Sequence, residues 1–311
     1  MKKILILGAQ GFIGKALLSH LQHDFEIIAF DRNNNLSDVP DNNIRFITGD
    51  FVNRNSFDDI LFGVDKVIHL ISTTFPNDET NNIDIDVIQN VVPTLRLLES
   101  MVRCNVNEIV FASSAGTVYG ETGNRVNTVS SPLHPQCAYG VHKKVIESYL
   151  DFYHLRYGIN HKIMRITNPY GWGQDVHRVQ GLIPILVNKM LHNEEIAVYG
   201  DGSNMRDYLF ITDLAEAFSS VLNYVGDEHI FNIGYGKSFS INEIIKSIEN
   251  AFNKNFVKIN YEKKRFCDVN KSFVDLKTTQ EKIGWRPKIS LEEGIKLTID
   301  RLTNAQVKER Q

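Results

Sequence analysis

The sequence predicts an α/β protein with a doubly wound parallel sheet, followed by a smaller α+β domain. Short runs rich in Val and Ile alternate with amphipathic stretches through the first half of the 311 residues, as in sheets that helices cover on both faces. A glycine-rich turn follows the first run, and past residue 168 the pattern changes to helices mixed with short strands. These features together indicate a Rossmann fold at 1–168, to which later segments return, and a mainly substrate-binding domain at 169–311.

Six apolar runs are the predicted strands of the first domain: KILILG, EIIAFD, IRFITGD, KVIHLIS, EIVFASS and HKIMRITN. Between them, 83–104 and 137–157 are amphipathic and long enough to be crossover helices. In the second domain, 182–192 and 241–253 are predicted helices, and EIAVYG and FNIG are predicted strands. Because no Pro/Ser-rich linker separates the halves, we expect a cleft where they meet.

Composition and charge exclude several classes of protein. With 42% hydrophobic and 23% charged residues the chain is an ordinary globular protein, and a net charge of −3 offers no basic surface for nucleic acid. Its apolar stretches are shorter than the roughly 18 residues that a membrane span needs. Three cysteines, Cys104, Cys137 and Cys267, lie far apart in the sequence, which favours a reducing compartment. We therefore expect a cytoplasmic protein without nucleic-acid or membrane partners.

The ten histidines show no spacing that is typical of a metal site. Neither HxxxH nor HExxH occurs among them, so no metal is expected. His69 lies in a predicted strand and is expected to pack in the core. His142 is expected to point away from the face of the lysine beside it.

Three glycines, Gly8, Gly11 and Gly14, form GAQGFIG between the first predicted strand and the helical run KALLSHL. In a dinucleotide-binding turn they allow a tight turn, close approach to the pyrophosphate and close packing of the helix on the strand. Phe12 and Ile13 lie in the same turn and are predicted to contact the dinucleotide. An ordinary turn is the alternative, because glycines alone are weak evidence.

Acidic residues at the ends of the second and third predicted strands strengthen the dinucleotide interpretation. Asp31 lies about 20 residues beyond the glycines, where a carboxylate accepts hydrogen bonds from the adenosine ribose. A carboxylate there repels a 2′-phosphate and favours NAD over NADP, whereas the neighbouring Arg32 could instead bind that phosphate. Asp50 and Phe51 are placed to meet the adenine, although Asp50 could also be a plain strand-end cap.

Only Tyr139, of eleven tyrosines, is followed four residues later by a lysine, Lys143, within a predicted helix. This spacing puts both side chains on one helical face. A free phenol has a pKa near 10 and is about one-thousandth ionised at pH 7, so a tyrosine base needs about 4 kcal/mol of help. Lys143 and a positively charged nicotinamide can supply that help. We therefore predict that the pair is catalytic.

A third group is needed to hold the substrate hydroxyl, and VFASSAGTVYG offers Ser113, Ser114 and Thr117. With these residues in place, the chain resembles the extended short-chain dehydrogenase/reductases that modify nucleotide sugars, the epimerase/dehydratase family. The likeness extends over nearly the whole chain. It rests on GAQGFIG, Asp31, Gly49-Asp50, His69-Leu70, Asn90 in NVVPTLRLLE, SSAGTVYG, YGVHK, RITNPYG, VYGDG and RDYLFITD.

The resemblance implies roles for the predicted catalytic residues. Tyr139 would be the acid/base, Lys143 would bind the nicotinamide ribose and lower the tyrosine pKa, and Asn90 would contact the cofactor. A serine would assist proton transfer. Counting from the strand selects Ser114, but this sequence has one residue more than the commoner SSSxVYG, so we keep Thr117 as its rival.

The resemblance also implies residues that bind a sugar nucleotide. Asn168 and Arg206 would bind its diphosphate, with Arg265 and Asp268 near the nucleotide, since a guanidinium offers forked donors to phosphate oxygens. The alternative for Arg206 is a surface salt bridge to Asp207.

Residue 272 bears on the choice of sugar. In the UDP-galactose 4-epimerases that the chain resembles, a bulky tyrosine after R-x-G-D closes the sugar pocket, and counting from Arg265 in RFCD places Ser272 there. A small residue would leave room for an acetamido group, which predicts a preference for UDP-N-acetylglucosamine and UDP-N-acetylgalactosamine. The alternative is that Ser272 merely begins the next strand.

The family divides chiefly into epimerases, dehydratases, decarboxylases and 4-keto-reductases. Dehydratases and decarboxylases of this kind carry an acidic residue just before VYG, where this chain has Ala115, Gly116 and Thr117, so elimination is disfavoured. We therefore predict a 4-epimerase that retains NAD. A reductase of 4-keto-sugars and a non-catalytic dinucleotide sensor are the alternatives, and homodimerisation is expected by analogy.

Overall fold

The computed structural model describes residues 1–33, 43–76, 83–176, 181–263 and 269–309. In chain order its strands are β1 (Lys2–Leu7), β2 (Phe25–Asp31), β3 (Ile44–Thr48), β4 (Lys66–His69), β5 (Glu108–Ser114), β6 (Asn160–Ile166), β7 (Asn168–Tyr170), β8 (Ile196–Tyr199), β9 (Met205–Phe210), β10 (Ile230–Ile233), β11 (Ser238–Ser240), β12 (Ile259–Glu262) and β13 (Lys271–Ser272). Its helices are α1 (Phe12–Leu21), α2 (Asp58–Leu61), α3 (Ile83–Asp86), α4 (Val92–Arg103), α5 (Ala115–Val118), α6 (Ala138–Tyr157), α7 (Leu182–Leu191), α8 (Ile211–Asn223), α9 (Ile241–Phe252), α10 (Lys277–Ile283) and α11 (Leu291–Glu309), and a π-helical turn, Val87–Val91, joins α3 to α4. None of these described helices is long and apolar enough to cross a membrane.

Seven parallel strands form the large sheet, in the order β10-β6-β5-β4-β1-β2-β3. β1 pairs with β2 on one side and with β4 on the other, so the winding of the chain reverses at β1. In open α/β sheets, ligands bind beside the carboxyl ends of the strands at such a reversal. The predicted α/β fold with a doubly wound parallel sheet is confirmed.

The run FNIG departs from the expectation that it belongs to the second domain. It forms β10 at the edge of the large sheet, where Ile230 pairs in parallel with Ile163 of β6. Its inward side chains, Phe231 and Ile233, are fully buried. The expectation was wrong because a short apolar strand carries no local signal for a partner that lies far earlier in the chain. The domain limits 1–168 and 169–311 stay a prediction.

Side chains of β1 alternate between two cores. Ile4 and Ile6 pack on one face of the sheet in the cluster that includes α1 and α8. Leu5 and Leu7 pack on the other face in the cluster that includes α4 and α6. Burial on both faces explains why the first strand is a continuous apolar run rather than an alternating one.

A smaller sheet lies beyond the carboxyl edge of the large one. β9 is its centre, with β11 antiparallel to it and β7 and β13 parallel to it, and β8 pairs separately with β12. β7 follows β6 after a single residue, Thr167. The chain therefore passes directly from the large sheet to the small one, and the space between the two sheets lies at the carboxyl end of β6.

Candidate active site

A cavity of about 960 Å³ opens at the carboxyl ends of β1, β5 and β6 and reaches the residues of β7, β8 and β9. It contains most of the residues that the sequence singles out. Those that line it are Gly8, Gly11, Phe12, Ile13, Gly14, Ser113, Ser114, Thr117, Tyr139, Lys143, Asn168 and Arg206. Residues from positions 8 to 206 thus meet in one space, as a two-substrate site requires.

The glycine turn has no room for a side chain at Gly14 and needs a backbone conformation that favours glycine at Gly8. Gly8 has a φ of +89°, which favours glycine, and a Cβ on Gly14 would stand 2.2 Å from the Gly8 carbonyl oxygen. α1 begins at Phe12, directly after Gly11 as its N-cap. A bare turn at a helix N-terminus fits a diphosphate, because backbone N–H groups and the helix dipole both favour an anion there.

Asp31 lies beside this turn at the end of β2. One of its carboxylate oxygens accepts a hydrogen bond from the Gln10 N–H at 2.9 Å, and the other accepts one from the Arg32 N–H at 2.7 Å. The carboxylate is thereby fixed next to the glycine turn, as a ribose-binding acid would be, and the Arg32 side chain is exposed. Turn and carboxylate together fit NAD.

Five predicted cofactor residues, Asp31, Arg32, Asp50, Phe51 and Asn90, are not among the described residues that line the cavity. Asp50 accepts a hydrogen bond from the Val52 N–H at 2.9 Å and so caps the turn after β3. Phe51 is buried in the core. The Asn90 side-chain oxygen accepts a hydrogen bond from the Thr73 N–H at 2.9 Å, which fixes the loop after β4. Direct contact of these residues with the cofactor stays a prediction.

Lys143 is buried on α6 at the floor of the cavity. Its ammonium group donates to the Ala112 carbonyl oxygen at 2.9 Å and lies 5.6 Å from the centre of the Tyr139 ring. Burial lowers the pKa of Lys143 to about 7, and the nearby Glu147 carboxylate acts in the opposite direction. The lysine is therefore close to the point at which it changes charge at neutral pH.

The Tyr139 phenol faces opposing influences. Burial raises its pKa, and electrostatic interactions with Cys137 and Asp86 act in the same direction, whereas a hydrogen bond with the Ser114 hydroxyl lowers it. In the protein alone the phenol is therefore protonated. A positive charge in the cavity is needed before it can act as a base.

The three hydroxyl groups offered by the sequence lie in different surroundings. Ser114 ends β5 next to the Tyr139 phenol. Ser113 also lines the cavity, but its hydroxyl donates to the buried Glu147 carboxylate. Thr117 lines the cavity, and its hydroxyl donates to the Ser114 carbonyl oxygen at 3.4 Å. The geometry favours Ser114 as the third catalytic group, and its role stays a prediction.

Asn168 and Arg206 lie on neighbouring strands of the small sheet. The Asn168 amide donates to the Asp207 carbonyl oxygen at 2.9 Å, which fixes its side chain in the cavity wall. Arg206 and Asp207 are consecutive in β9 and therefore point to opposite faces, with Arg206 lining the cavity and Asp207 fully buried. The Asp207 carboxylate accepts hydrogen bonds from the Tyr235 and Gly236 N–H groups at 2.7 and 2.8 Å. This arrangement favours the cavity role of Arg206 over the surface salt bridge.

Arg265 and Asp268 lie outside the described residues. Ser272 is described, and it is 4% exposed in β13, where it pairs with Arg206 of β9. It is not among the described residues that line the cavity. Its position in a strand is the alternative that the sequence left open, and a direct contact with the sugar stays a prediction.

Sequence reasoning missed Thr74 and Asp86. Thr74 lines the cavity, and its hydroxyl donates to the buried Asp86 carboxylate. His142, which was expected to point away from the lysine face, also contacts Asp86, with 2.9 Å between its Nδ1 and Oδ1. Neither threonine nor aspartate belongs to a motif, so only their meeting in three dimensions reveals them.

Comparison with known proteins gives the family. Residues 4–234 match the model of the NAD dependent epimerase/dehydratase family. The chain is 34% identical over 301 residues to a dTDP-4-dehydro-6-deoxyglucose reductase of Escherichia coli, covering 94% of this chain and 95% of that one. It is also 34% identical over 307 residues to a putative UDP-glucose 4-epimerase of Methanocaldococcus jannaschii, covering 97% and 98%. Its fold is similar to that of a UDP-glucose 4-epimerase of Thermotoga maritima with UDP-glucose, at a TM-score of 0.90 and 29% identity over 98% of this chain and 99% of that one.

Fold, cavity and family model agree, and the chain belongs to the NAD-dependent epimerase/dehydratase family. The predicted family and cofactor, NAD, are both confirmed. The relatives with 34% identity carry two different reactions in their names, so the family alone does not select one of them.

Proposed function

We propose that the protein is an NAD-dependent 4-epimerase of a UDP-sugar. The observation that carries the proposal is the meeting of Tyr139, Lys143 and Ser114 in a cavity that begins at the glycine turn. Arg206 on the opposite wall offers a guanidinium to the diphosphate of the substrate. The Thermotoga maritima structure supports the proposal, since it has the same fold and holds UDP-glucose.

Tyr139 accepts the proton of the sugar 4-hydroxyl in the proposed reaction, while Ser114 holds that hydroxyl by a hydrogen bond. Because burial raises the pKa of Tyr139, the phenolate needs cations nearby. Lys143 supplies one, although its pKa of about 7 leaves it only partly charged at neutral pH. NAD, when bound, would supply a second positive charge and the hydride chemistry at the sugar carbon. Tyr139 would return the proton to the sugar oxygen after the sugar has turned in the cavity.

The segment after Ser114 argues against elimination chemistry. Gly116 and Thr117 line the cavity in α5, and neither carries the acidic side chain with which a dehydratase of this kind moves its second proton. A site with one acid/base group suits a reaction in which the same proton leaves and returns.

The test is an assay of the purified protein with UDP-glucose and UDP-N-acetylglucosamine, without added cofactor. An epimerase forms the C4 epimer, observed by NMR, with no net change in NADH absorbance. If neither sugar is epimerised while copurified NAD is present, the proposal is wrong.

A reductase of 4-keto-sugars is the second candidate, and the Escherichia coli relative favours it. It would use the same tyrosine and lysine but would consume one NADH or NADPH for each sugar reduced. Adding a nucleotide-linked 4-keto-6-deoxy sugar and NADH to the same protein separates the two reactions. Stoichiometric loss of NADH without epimerisation of any UDP-sugar would assign the reductase.

We also propose UDP-N-acetylglucosamine and UDP-N-acetylgalactosamine as the preferred substrates. The support is the small residue, Ser272, at the sequence position of the tyrosine gate. Because Ser272 is buried in β13, the space for an acetamido group would come from a missing ring rather than from contact with the serine. Competition between the four sugars tests the preference, and a Ser272→Tyr variant should lose the N-acetylated pair first. A wild-type preference for UDP-glucose would contradict it.

We further propose that the protein is a cytoplasmic homodimer. Apolar side chains are exposed along one helix, α6, at Val141, Tyr149, Phe152, Leu155 and Tyr157. Leu155 is 85% exposed, which is costly for an apolar side chain unless a partner covers it. A second copy of the chain would bury this row of side chains through a helix-to-helix contact.

A further inference from the structure

One buried oxygen atom connects three segments around the cavity. Asp86 Oδ1 accepts the Thr74 hydroxyl, lies 2.9 Å from His142 Nδ1, and lies 3.5 Å from the Asn90 amide nitrogen. The Asp86 residue is 8% exposed and His142 is 2% exposed. Thr74 belongs to the loop after β4, and His142 belongs to the catalytic helix α6. Asp86 itself ends α3.

Asp86 is the N-cap of a π-helical turn, Val87–Val91. Pro93 has no N–H to donate within the helix, and the turn just before it widens, with the Val92 N–H bonding to the Val87 carbonyl oxygen. Asn90, within the turn, donates to the Asp86 carbonyl oxygen at 3.2 Å. Such widened turns recur at functional sites, where they re-aim side chains.

Two of the partners of Asp86, Thr74 and His142, touch the reacting region. Thr74 lines the cavity. The His142 ring packs edge-on against the Tyr139 ring, with 5.1 Å between centroids. His142 also directly precedes Lys143, so the contact with Asp86 is made from the helical turn that carries both catalytic side chains.

His142 depends on Asp86 for its orientation. Burial, followed by the charge of Lys143, lowers the pKa of His142 to about 3, so the ring is neutral. Its Nδ1 then carries the proton that faces Asp86. The buried Nε2 has no hydrogen-bond partner among the described residues. Without Asp86, no other described polar contact would hold the ring.

We propose that Asp86 and His142 are positioning residues that hold the Thr74 loop at a fixed distance from Tyr139. The loop and the tyrosine then approach the sugar together, and the hydroxyl to be oxidised meets the phenol in one orientation. The inference rests on the proposed hydride-transfer site, and it holds whether that site epimerises or reduces. It predicts that the three residues affect the chemical step more than substrate binding, because Arg206 lies on the far wall.

Thr74→Val removes the hydroxyl donor while keeping the shape, and Thr74→Ser keeps the donor. We expect Thr74→Val to lower kcat about tenfold with KM within about twofold of wild type, and Thr74→Ser to retain at least half of kcat. His142→Phe keeps the edge-on ring and removes the link to Asp86, so it should give a similar loss. Both variants break the same link through Asp86. The double variant should therefore lose little more kcat than the slower of the two single variants.

His20→Phe, at an exposed position on α1, is the matched control and should leave kcat and KM unchanged. Melting temperature and NAD content are measured for every variant, so that a loss of folded protein is not read as a loss of kcat. The inference is wrong if Thr74→Val keeps wild-type kcat or if Thr74→Ser is as slow as Thr74→Val. It is also wrong if the kcat losses of Thr74→Val and His142→Phe multiply in the double variant. An inactive wild type would instead overturn the proposed function. If His142→Phe does not fold, the two Thr74 variants decide alone.

Discussion

At the scale of single residues, the cavity depends on groups whose charge the protein controls. Tyr139 is held protonated by burial, and Lys143 is held near its point of ionisation by the same cause. By itself Tyr139 is not a strong base, and Lys143 is not fully charged at neutral pH. The catalytic power of the pair therefore depends on what binds beside it, and this suits an enzyme that should react only when its cofactor is in place.

Tyr139→Phe removes the phenolic hydroxyl and leaves the ring. We expect turnover to fall by at least about 100-fold, because general acid–base catalysis is lost, while NAD content stays near that of wild type. Steady-state kinetics and the absorbance of copurified cofactor measure the two effects. More than a tenth of wild-type activity would show that another group moves the proton.

Ser114→Ala and Thr117→Val distinguish the rivals for the third catalytic position. The Ser114 hydroxyl hydrogen-bonds to the phenol, whereas the Thr117 hydroxyl donates to a backbone carbonyl at 3.4 Å. We expect Ser114→Ala to lose at least tenfold more kcat than Thr117→Val, since only the first removes a hydrogen bond to the acid/base group. The opposite order would assign Thr117.

Buried histidines make the fold sensitive to acid. Burial, as the main cause, lowers the pKa of both His69 and His142 to about 3, against about 6.5 in the unfolded chain. Between these values the unfolded chain binds protons that the folded chain does not. The contribution of the two histidines to the free energy of unfolding is therefore complete above pH 6.5 and is lost as the pH falls. For each histidine the loss would be roughly 3 kcal/mol at pH 4.

Asp207 has the opposite effect on the pH dependence of stability, but it is one residue against two histidines. Burial raises its pKa to about 6, so its protonation stabilises the fold below that pH, by roughly 3 kcal/mol at most. The two histidines outweigh it. We therefore expect the free energy of unfolding, measured with urea, to fall between pH 7 and pH 4.5. The free energy of unfolding of His69→Phe should fall less steeply with pH than that of wild type, and that of His20→Phe should fall as steeply as wild type. Equal slopes for all three proteins would contradict the assignment of the acid sensitivity to the buried histidines.

At the scale of elements, the turn between β1 and α1 is the most constrained part of the site. A Cβ on Gly14 would meet the Gly8 carbonyl oxygen at 2.2 Å, and backbone atoms cannot yield as a side chain would. We expect Gly14→Ala to displace the start of α1 and to reduce bound NAD at least tenfold. Gly63→Asn is the control, because its Cβ meets nothing within 4 Å and asparagine tolerates the positive φ of 70°. Undiminished NAD in Gly14→Ala would show that the turn can relax.

At the scale of the whole molecule, the row of apolar side chains on α6 predicts association. Phe152→Lys together with Leu155→Lys adds two positive charges to this row in each copy. We expect a homodimeric wild type and a monomeric variant by light scattering, because burying four lysines in one interface leaves their charges unpaired. Val225→Lys is the matched control, since Val225 is 97% exposed and does not belong to this helix. A monomeric wild type would contradict the proposed dimer.

Much of the candidate site could be predicted from the sequence because its parts are local. The glycine turn, the carboxylate at the end of β2 and the Tyr139–Lys143 spacing each depend on a few neighbouring residues and on strand or helix periodicity. Ser114 could be narrowed to a short segment but not assigned, since one extra residue in SSAGTVYG makes the count ambiguous. The hydrogen bond between Ser114 and the Tyr139 phenol favours it.

The sequence by itself determined the fold class, the family and the cofactor, since short-range patterns encode alternating strands, crossover helices and the phosphate turn. Only the tertiary structure decided that FNIG belongs to the large sheet, that Ser272 is buried in β13, and that Asp86 links the Thr74 loop to α6. Each of these joins residues far apart in the chain. No local periodicity specifies such a pairing, because it depends on how whole elements pack against one another.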